Sequence, residues 1–327
     1  MSFLSSLRTL TILTAAALPV AAQADPDPAS SYPNHPVRVI VGYAAGGASD
    51  TVARALSQKL SDRFGQPVIV ENRTGAGGIV GAQHVATADR DGYTLLFAPS
   101  SIFTTNPVMY KTLPYSSRDF APIASVVTYP FFLIVNATEP IQSVSELTRF
   151  LKGNPTRANF GGAAGIFQLG YELFKSQTGT TGEYISYRGT NHSVNAVMAG
   201  EILMTMADGA PASAALQTGR VRALAVTAER RAKAYPDVPT VVEAGFPDLK
   251  MGSWMGLFAP AGTPPSIVKK LEGEVMAITR SADFQEQMSK LQVNADGMQS
   301  GEFGKMIDSD LARWRHVARE AKIEPKN

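Results

Sequence analysis

The stretch that decides the fold reads Val37-Arg-Val-Ile-Val-Gly-Tyr-Ala-Ala-Gly-Gly-Ala-Ser-Asp-Thr-Val-Ala-Arg-Ala-Leu56. Its β-branched beginning predicts a strand, its small residues from Gly42 to Gly47 a loop, and its later apolar spacing a helix closed by Gly65. The first N–H groups of such a helix have no partner within the helix, and the positive end of its dipole lies beside them. The stretch therefore predicts an anion-binding loop between a strand and a helix.

The same order of strand, loop and helix recurs directly afterwards. Residues 67–71 predict a second strand and the glycine-rich residues 72–81 a loop that leads into a helix. Residues 93–98 predict a third strand, followed by a loop at 99–101. Three such units in succession predict an α/β fold with a parallel sheet, in which ligands bind beyond the carboxyl ends of the strands.

The pattern then restarts, which predicts a second lobe built like the first. The apolar run 123–135 is either a strand pair or a crossover that leaves the first lobe, and residues 254–259 predict a strand that returns to it. Two crossings between two lobes predict a hinge. We expect lobe 1 to comprise 36–127 and 254–327, and lobe 2 to comprise 128–253. The further elements predicted are strands at 158–160, 184–187, 202–207 and 221–226, and helices at 144–151, 167–177, 193–198, 266–280 and 300–321.

The N-terminus has the features of a secretory signal. Arg8 supplies a positive charge, residues 10–20 an apolar segment, and Ala22-Gln-Ala24 a cleavage site, so residues 1–24 predict export and cleavage before Asp25. The alternative is a retained N-terminal anchor, which leaves the same domain outside the membrane. Residues 25–35 form a proline-rich lead-in that we expect to be loosely ordered.

Composition excludes several classes of partner and chemistry. The chain has 327 residues, with 30 Lys and Arg against 28 Asp and Glu, so its near-neutral balance gives no support for a nucleic-acid partner. It has no cysteine, which excludes disulfides, thiol catalysis and Cys-ligated metal. We expect a monomer without cofactor.

The motifs that suggest chemistry are weak. The glycines from Gly75 to Gly81 depart from the dinucleotide-binding spacing because Val80 holds the place of the third glycine, so tight packing of helix on strand is the preferred interpretation. No two histidines fall within five residues of each other, so the sequence has no histidine spacing typical of a metal site, and only His192 is predicted near the cleft between the lobes. Asp50 and Asp208 form a possible catalytic pair, but a helix start and a turn explain them more simply.

Many ordered motifs resemble those of the Bug or TctC family of periplasmic solute receptors, which serve tripartite tricarboxylate transporters. The resemblance covers essentially the whole mature chain. The motifs that carry it are Gly42 to Asp50, Val70-Glu-Asn-Arg73 with Gly75-Ala-Gly-Gly78, Asp91-Gly-Tyr-Thr94, Tyr187-Arg-Gly189, residues 219–227, Pro236-Asp-Val-Pro-Thr240 and residues 254–264.

The resemblance implies a non-catalytic, two-lobed protein of the type II periplasmic-binding-protein fold, with mostly parallel sheets. It closes over a small carboxylate or dicarboxylate and delivers it to membrane transporter subunits. Main-chain N–H groups from both lobes hold one ligand carboxylate, and no metal or catalytic residue takes part. The positions implied to bind the ligand are Tyr43, Ala45, Gly46, Gly47, Ser49, Asp50, Ser100, Ser101, Ala163, Ala164, Gly165, Ile166, Phe167, Gln168, Arg188, Gly189, Thr190, Asn191 and Asp208.

Two departures from the family pattern bear on the ligand. Residues 162–168 lack the hydroxyl groups and the histidine usual in the family, and Arg188 replaces the usual lysine. The gain of apolar surface at Ile166 and Phe167, with Tyr43 opposite, favours an aromatic or medium-chain dicarboxylate over citrate. The alternatives from other classes are a secreted hydrolase with a cryptic serine site using His192, and a ligand sensor for a signalling partner.

Overall fold

The computed structural model describes residues 27–162 and 165–327. The predicted signal segment, 1–24, and two of the predicted site residues, Ala163 and Ala164, lie outside the described residues. Within the described ranges, no helix combines the length and the apolar character needed to cross a membrane.

The described residues form ten strands and ten α-helices in alternation. The strands are β1 (Val37–Val41), β2 (Val68–Asn72), β3 (Thr94–Pro99), β4 (Phe120–Pro130), β5 (Phe132–Asn136), β6 (Asn159–Gly162), β7 (Glu183–Ser186), β8 (Met204–Ala207), β9 (Val221–Val226) and β10 (Gly252–Pro260). The helices are α1 (Ala48–Phe64), α2 (Ile79–Ala86), α3 (Asn106–Met109), α4 (Val144–Gly153), α5 (Gly165–Thr178), α6 (Thr190–Ala199), α7 (Gly209–Gln217), α8 (Pro265–Thr279), α9 (Ala282–Lys290) and α10 (Ser300–Glu320).

The strands assemble into two sheets of the same design. The first has the order β2-β1-β3-β10-β4 and the second the order β7-β6-β8-β5-β9. In the first sheet β10 runs antiparallel to β3 and β4, and in the second β5 runs antiparallel to β8 and β9, so the other four strands of each sheet share one direction. Each sheet with its helices forms one lobe. The predicted α/β architecture of two mostly parallel sheets is confirmed.

The chain crosses between the lobes through neighbouring strands. β4 belongs to the first sheet and β5, which starts two residues after Pro130, to the second, so the apolar run 123–135 contains a crossover. β10 returns to the first sheet and pairs with β4 along its whole length, from Gly252 opposite Pro130 to Pro260 opposite Phe120. The predicted lobe limits fall within these two crossing strands.

Four helices differ from the sequence-based expectation. The sequence pattern does not predict α3, α7 or α9. Helix α3 has only four residues, α7 consists mostly of small residues with Pro211 among them, and α9 buries only Phe284 and Met288. Helix α6 also begins at Thr190 rather than at Ser193, since Gly189 supplies an extended N-cap and the helical backbone starts directly after it. Thr190 and Asn191 therefore lie in the first turn of a helix and not in a loop.

Helices cover both faces of each sheet and enclose separate apolar cores. In lobe 1 one core lies between the sheet and α1, α8 and α9, and the other lies under α2 and the first half of α10. Helix α10 continues beyond lobe 1: Phe303 and Ile307 pack in the lobe 1 core, whereas Leu311 and Trp314 pack in the core of lobe 2. One helix is thus shared by the two lobes.

The glycines near α2 allow close contact between a helix and a strand. A Cβ atom at Gly81 would lie 2.8 Å from the Cα of Gly42, and one at Gly42 would lie 2.7 Å from the Cα of Gly78. Contacts this short with backbone atoms cannot be relieved by a side-chain rotation. The packing interpretation of these glycines therefore accounts for them without a bound nucleotide.

This packing predicts opposite effects for two Gly→Ala substitutions inside helices. Gly81→Ala in α2 should lower the free energy of unfolding by about 1–3 kcal/mol, because the added methyl group overpacks the contact with Gly42. Gly273→Ala in α8 is the matched control, since no atom lies within 4 Å of the added Cβ. It should raise the free energy of unfolding by about 0.5–1 kcal/mol through helix propensity. Urea denaturation measures both, and equal effects of the two substitutions would contradict the packing argument.

Candidate functional site

The loop between β1 and α1 is organised by the carboxylate of Asp50. Its oxygens accept hydrogen bonds from the Gly46 N–H at 2.9 Å, from Arg54 Nε at 2.9 Å and from Asn72 Nδ2 at 2.8 Å. Burial alone would raise the pKa of Asp50, but the hydrogen bonds from Arg54, Gly46 and Asn72 outweigh it and hold the pKa at about 2. Asp50 therefore stays ionised and its three donors lie within the protein.

Because the Asp50 carboxylate is hydrogen-bonded to the loop, it does not cap the first N–H groups of α1. Residues 44–48 are exposed, and Gly47 at the N-cap offers no side chain to the first N–H groups of the helix. Helix α4 shows the contrast, because the Ser143 hydroxyl there accepts a hydrogen bond from the Glu146 N–H. The predicted residues Ala45, Gly46, Gly47 and Ser49 thus surround an uncapped helix start, which favours an anion.

Hydroxyl groups from the turn after β3 and from β10 lie close to this loop. The Tyr43 hydroxyl donates to the Gly77 carbonyl at 2.9 Å and lies 3.1 Å from the Ser101 hydroxyl. The neighbouring Ser100 is buried and its hydroxyl lies 2.8 Å from that of Ser253, on the returning strand β10. Burial raises the pKa of Tyr43, which keeps its phenol neutral.

Two helix starts of lobe 2 have a similar character. Gly189 before α6 and Asp208 before α7 occupy the N-caps, and neither provides a side-chain cap. The Asp208 carboxylate instead accepts a hydrogen bond from the Thr190 hydroxyl at 3.1 Å. Burial raises the pKa of Asp208, and the hydrogen bond from Thr190 opposes this shift.

Tyr129 lies on the crossing strand β4, between the polar groups of lobe 1 and the polar groups of lobe 2. Its side chain packs against the cores of both lobes, and its backbone lies opposite Ser253 in the β4–β10 pair. Burial raises the pKa of Tyr129, the nearby Asp208 carboxylate and Tyr43 phenol raise it further, and the Ser253 hydroxyl lowers it. These interactions join one group of residues, which we call the polar cluster: Tyr43, Ser100, Ser101, Tyr129, Thr190, Asp208 and Ser253.

The remaining predicted site residues of lobe 2 are distributed more widely. Ile166 and Phe167 are buried in the lobe 2 core, where the ring of Phe167 lies 5.0 Å from that of Phe131. Gly165 begins α5 and lies against Met109 of α3 in lobe 1. Three predicted residues are more accessible, half-buried Gln168 and exposed Arg188 and Asn191.

Tyr129 and Ser253 belong to the polar cluster but are absent from the residues predicted by sequence. Both lie on the crossing strands, Tyr129 in the Thr128-Tyr-Pro130 break between two apolar runs and Ser253 directly before Trp254. The sequence does predict the two crossings, and a polar or aromatic residue at each crossing is the signal that could have identified these two positions.

The described residues show no arrangement for catalysis or metal binding at the predicted positions. His192 is exposed, and in the described part of the chain no serine hydroxyl hydrogen-bonds to any histidine. Residues 27–162 and 165–327 likewise contain no group of three metal-ligating side chains. Two surface cavities, one of about 220 Å³ under α10 and one beside α4, contain none of the predicted site residues.

Two lobes joined by paired crossing strands, with uncapped helix starts on both sides of a polar cluster, define a two-lobed periplasmic binding protein. Residues 52–323 match the model of the tripartite tricarboxylate transporter family receptor, and the chain belongs to this family. The members of the family are binding receptors and not enzymes, so the expectation of a non-catalytic protein is confirmed and the hydrolase alternative is rejected.

Individual relatives agree with this assignment over nearly their full length. A UPF0065 protein of Bordetella pertussis is 33% identical over 327 residues, which is 99% of each chain. A solved structure described as R. palustris Rpa4515 with adipate is 30% identical with a TM-score of 0.79, and covers 90% of this chain and 100% of its own. MatC from Rhodopseudomonas palustris with bound malate is 28% identical with a TM-score of 0.73, covering 88% and 99%.

The loop-organising role of Asp50 predicts a specific loss of stability in acid. Because its pKa in the folded protein, about 2, lies below the ordinary value of 3.8, the stabilisation is complete above about pH 4 and is lost as pH falls towards 2. Asp50→Asn should lower the free energy of unfolding at pH 7 by about 1–2 kcal/mol, since half-exposed Arg54 is screened by solvent. Urea denaturation at several pH values should show a weaker acid dependence in this variant than in the exposed control Asp62→Asn. Identical profiles would contradict this role.

Proposed function

We propose that this protein is an extracytoplasmic receptor that binds a small organic dicarboxylate between its lobes for uptake by a tripartite tricarboxylate transporter. The observation that carries the proposal is the polar cluster, which lies among the uncapped starts of α1, α6 and α7. Desolvated N–H groups aimed at one point bind a carboxylate strongly, and the surrounding hydroxyls supply neutral donors. Lobe closure would bury the ligand, and opening at the crossing strands would release it.

We further propose that the ligand is an aromatic or medium-chain dicarboxylate. Relatives of similar identity have been solved with adipate and with malate, so both a six-carbon and a four-carbon diacid are precedents for this chain. The apolar residues at the start of α5 favour the longer or flatter ligand. Since Ile166 and Phe167 lie in the lobe 2 core, their contribution would be to shape the wall behind the ligand rather than to contact it broadly.

The cellular location and the partner follow from the same proposal. Residues 1–24 would direct export and be cleaved, so that the receptor acts as a monomer in the periplasm. The membrane subunits of a transporter would receive the closed, loaded form. The second candidate partner is a signalling protein that binds the closed, loaded form.

Ligand class can be tested by thermal unfolding of the mature protein. Adipate or an aromatic dicarboxylate should raise the melting temperature in proportion to the logarithm of its concentration, by about 4 °C at roughly 100 times its Kd. Citrate should leave the melting temperature unchanged. Stabilisation by citrate and not by the other acids would contradict the proposed ligand class.

Binding by main-chain N–H groups can be tested by removing one donor. Ala48→Pro deletes the first N–H of α1 at a position where proline fits a helix, because Gly47 before it is extended. It should weaken dicarboxylate binding about tenfold or more with little change in stability. The matched control is Ala282→Pro at the first position of α9, which lies outside the proposed site and should keep full affinity. Equal affinities of the two variants, measured by calorimetry, would contradict a role for the α1 start.

The partner can be tested by uptake of a labelled dicarboxylate in the native host. Deletion of the receptor gene, or of the genes for the large and small membrane subunits, should each abolish high-affinity uptake. If uptake persists without the receptor while gene expression no longer responds to the acid, the signalling alternative is correct.

A further inference from the structure

The carboxylate of Asp208 lacks a positively charged partner. One of its oxygens accepts the hydrogen bond from Thr190, and none of the ion pairs formed within residues 27–162 and 165–327 includes Asp208. This differs from Asp50, which is paired with Arg54. An ionised carboxylate that is partly removed from water and has one hydroxyl donor is poorly stabilised.

No element of the described chain that packs around Asp208 pairs a charged side chain with it. From β4 comes the neutral phenol of Tyr129, and the turn after α9 places neutral Gln292 against Gly209. Arg188 and His192 lie near the start of α6, but neither forms a hydrogen bond or ion pair with Asp208 among the described contacts. Asp296 follows α9 as well, and its carboxylate accepts a hydrogen bond from the Thr128 hydroxyl of β4.

We infer that Asp208 recognises the second acid group of the dicarboxylate by sharing one proton with it, so that ligand binding takes up one proton from solution. This inference rests on the proposed function, which brings a second carboxylate to the polar cluster. Two carboxylates held together without a cation cannot both remain ionised, and a single shared proton converts their repulsion into a short, charge-assisted hydrogen bond. The first carboxylate of the ligand stays ionised at the helix starts.

The groups around Asp208 favour the sharing of a proton with a ligand carboxylate. Burial already raises its pKa, whereas the same fold holds the pKa of Asp50 far below the ordinary value. The phenol of Tyr129 brings no charge to Asp208 because burial keeps it neutral, and Thr190 keeps the carboxylate oriented. The proton comes from solvent and returns to it when the ligand leaves, so no covalent bond is formed or broken.

A proton taken up on binding makes affinity depend on pH in a defined direction. Above the pKa values of the free ligand and of Asp208, each unit of increase in pH should weaken dicarboxylate binding by up to tenfold. A monocarboxylate of the same length brings no second acid group. Its affinity should therefore stay nearly constant between pH 6 and pH 8.

The test is calorimetric titration of the mature protein with adipate at pH 7 in two buffers of different ionisation enthalpy, which counts the protons taken up. We expect about one proton for adipate and none for hexanoate. Asp208→Asn should bind adipate without proton uptake, and Asp237→Asn, an exposed control in the same lobe, should keep it. Thermal unfolding establishes that both variants are folded, and the wild-type proton count tests the inference without any variant.

Three results would overturn the inference: binding of adipate by the wild-type protein without proton uptake, unchanged uptake in Asp208→Asn, or tighter binding of 6-aminohexanoate than of adipate. The last result would show that Asp208 pairs as an anion with a ligand ammonium group. Each of these leaves the proposed receptor function intact, because an acid still binds. If none of the acids named in these tests binds, both the proposed function and the inference are refuted.

Discussion

The unsatisfied N–H groups at the start of a helix are the constraint on which the rest of this molecule depends. Every helix must find partners for these groups, and α4 does so with its own Ser143. The starts of α1, α6 and α7 have no such side chain, and Asp50 and Asp208 turn their carboxylates to other donors. Helices α8, α9 and α10 also lack a side-chain cap, whereas α1, α6 and α7 begin beside the polar cluster.

Sheet topology determines where these groups meet. Both sheets use the same strand order, and in each the strands that precede the uncapped helices share one direction, so their loops lie at one edge. The crossing strands β4 and β10 pair with each other in the first sheet, and at the end where the chain crosses to lobe 2 they place Tyr129 against the cores of both lobes. A binding site built in this way needs little side-chain specificity in its loops, which explains why small residues dominate them.

Local patterns in the sequence predict most of the elements. The strand predicted at 221–226, the helix predicted from 144 and the helix end predicted at Gly65 are all present in the structure, with Ser143 as the N-cap of α4 and Gly65 in the left-handed conformation after α1. Prediction fails where the pattern is weak, as in the small-residue helix α7 and the mostly polar helix α9. The polar cluster depends on tertiary structure, because only the pairing of the two crossing strands brings Tyr129 and Ser253 together. The burial of Phe167 likewise follows from its contact with Phe131, which no local spacing reveals.

Helix α10 restricts how the two lobes can move relative to each other. Its first half packs with lobe 1, its second half packs with lobe 2, and Asp310 between them accepts a hydrogen bond from the indole N–H of Trp254 on β10 at 3.0 Å. A continuous helix is stiff along its axis, so the two lobes cannot be pulled apart without breaking one of these contact sets. Relative motion of the lobes must therefore bend this helix or repack one of its two halves, and the indole of Trp254 lies at its midpoint.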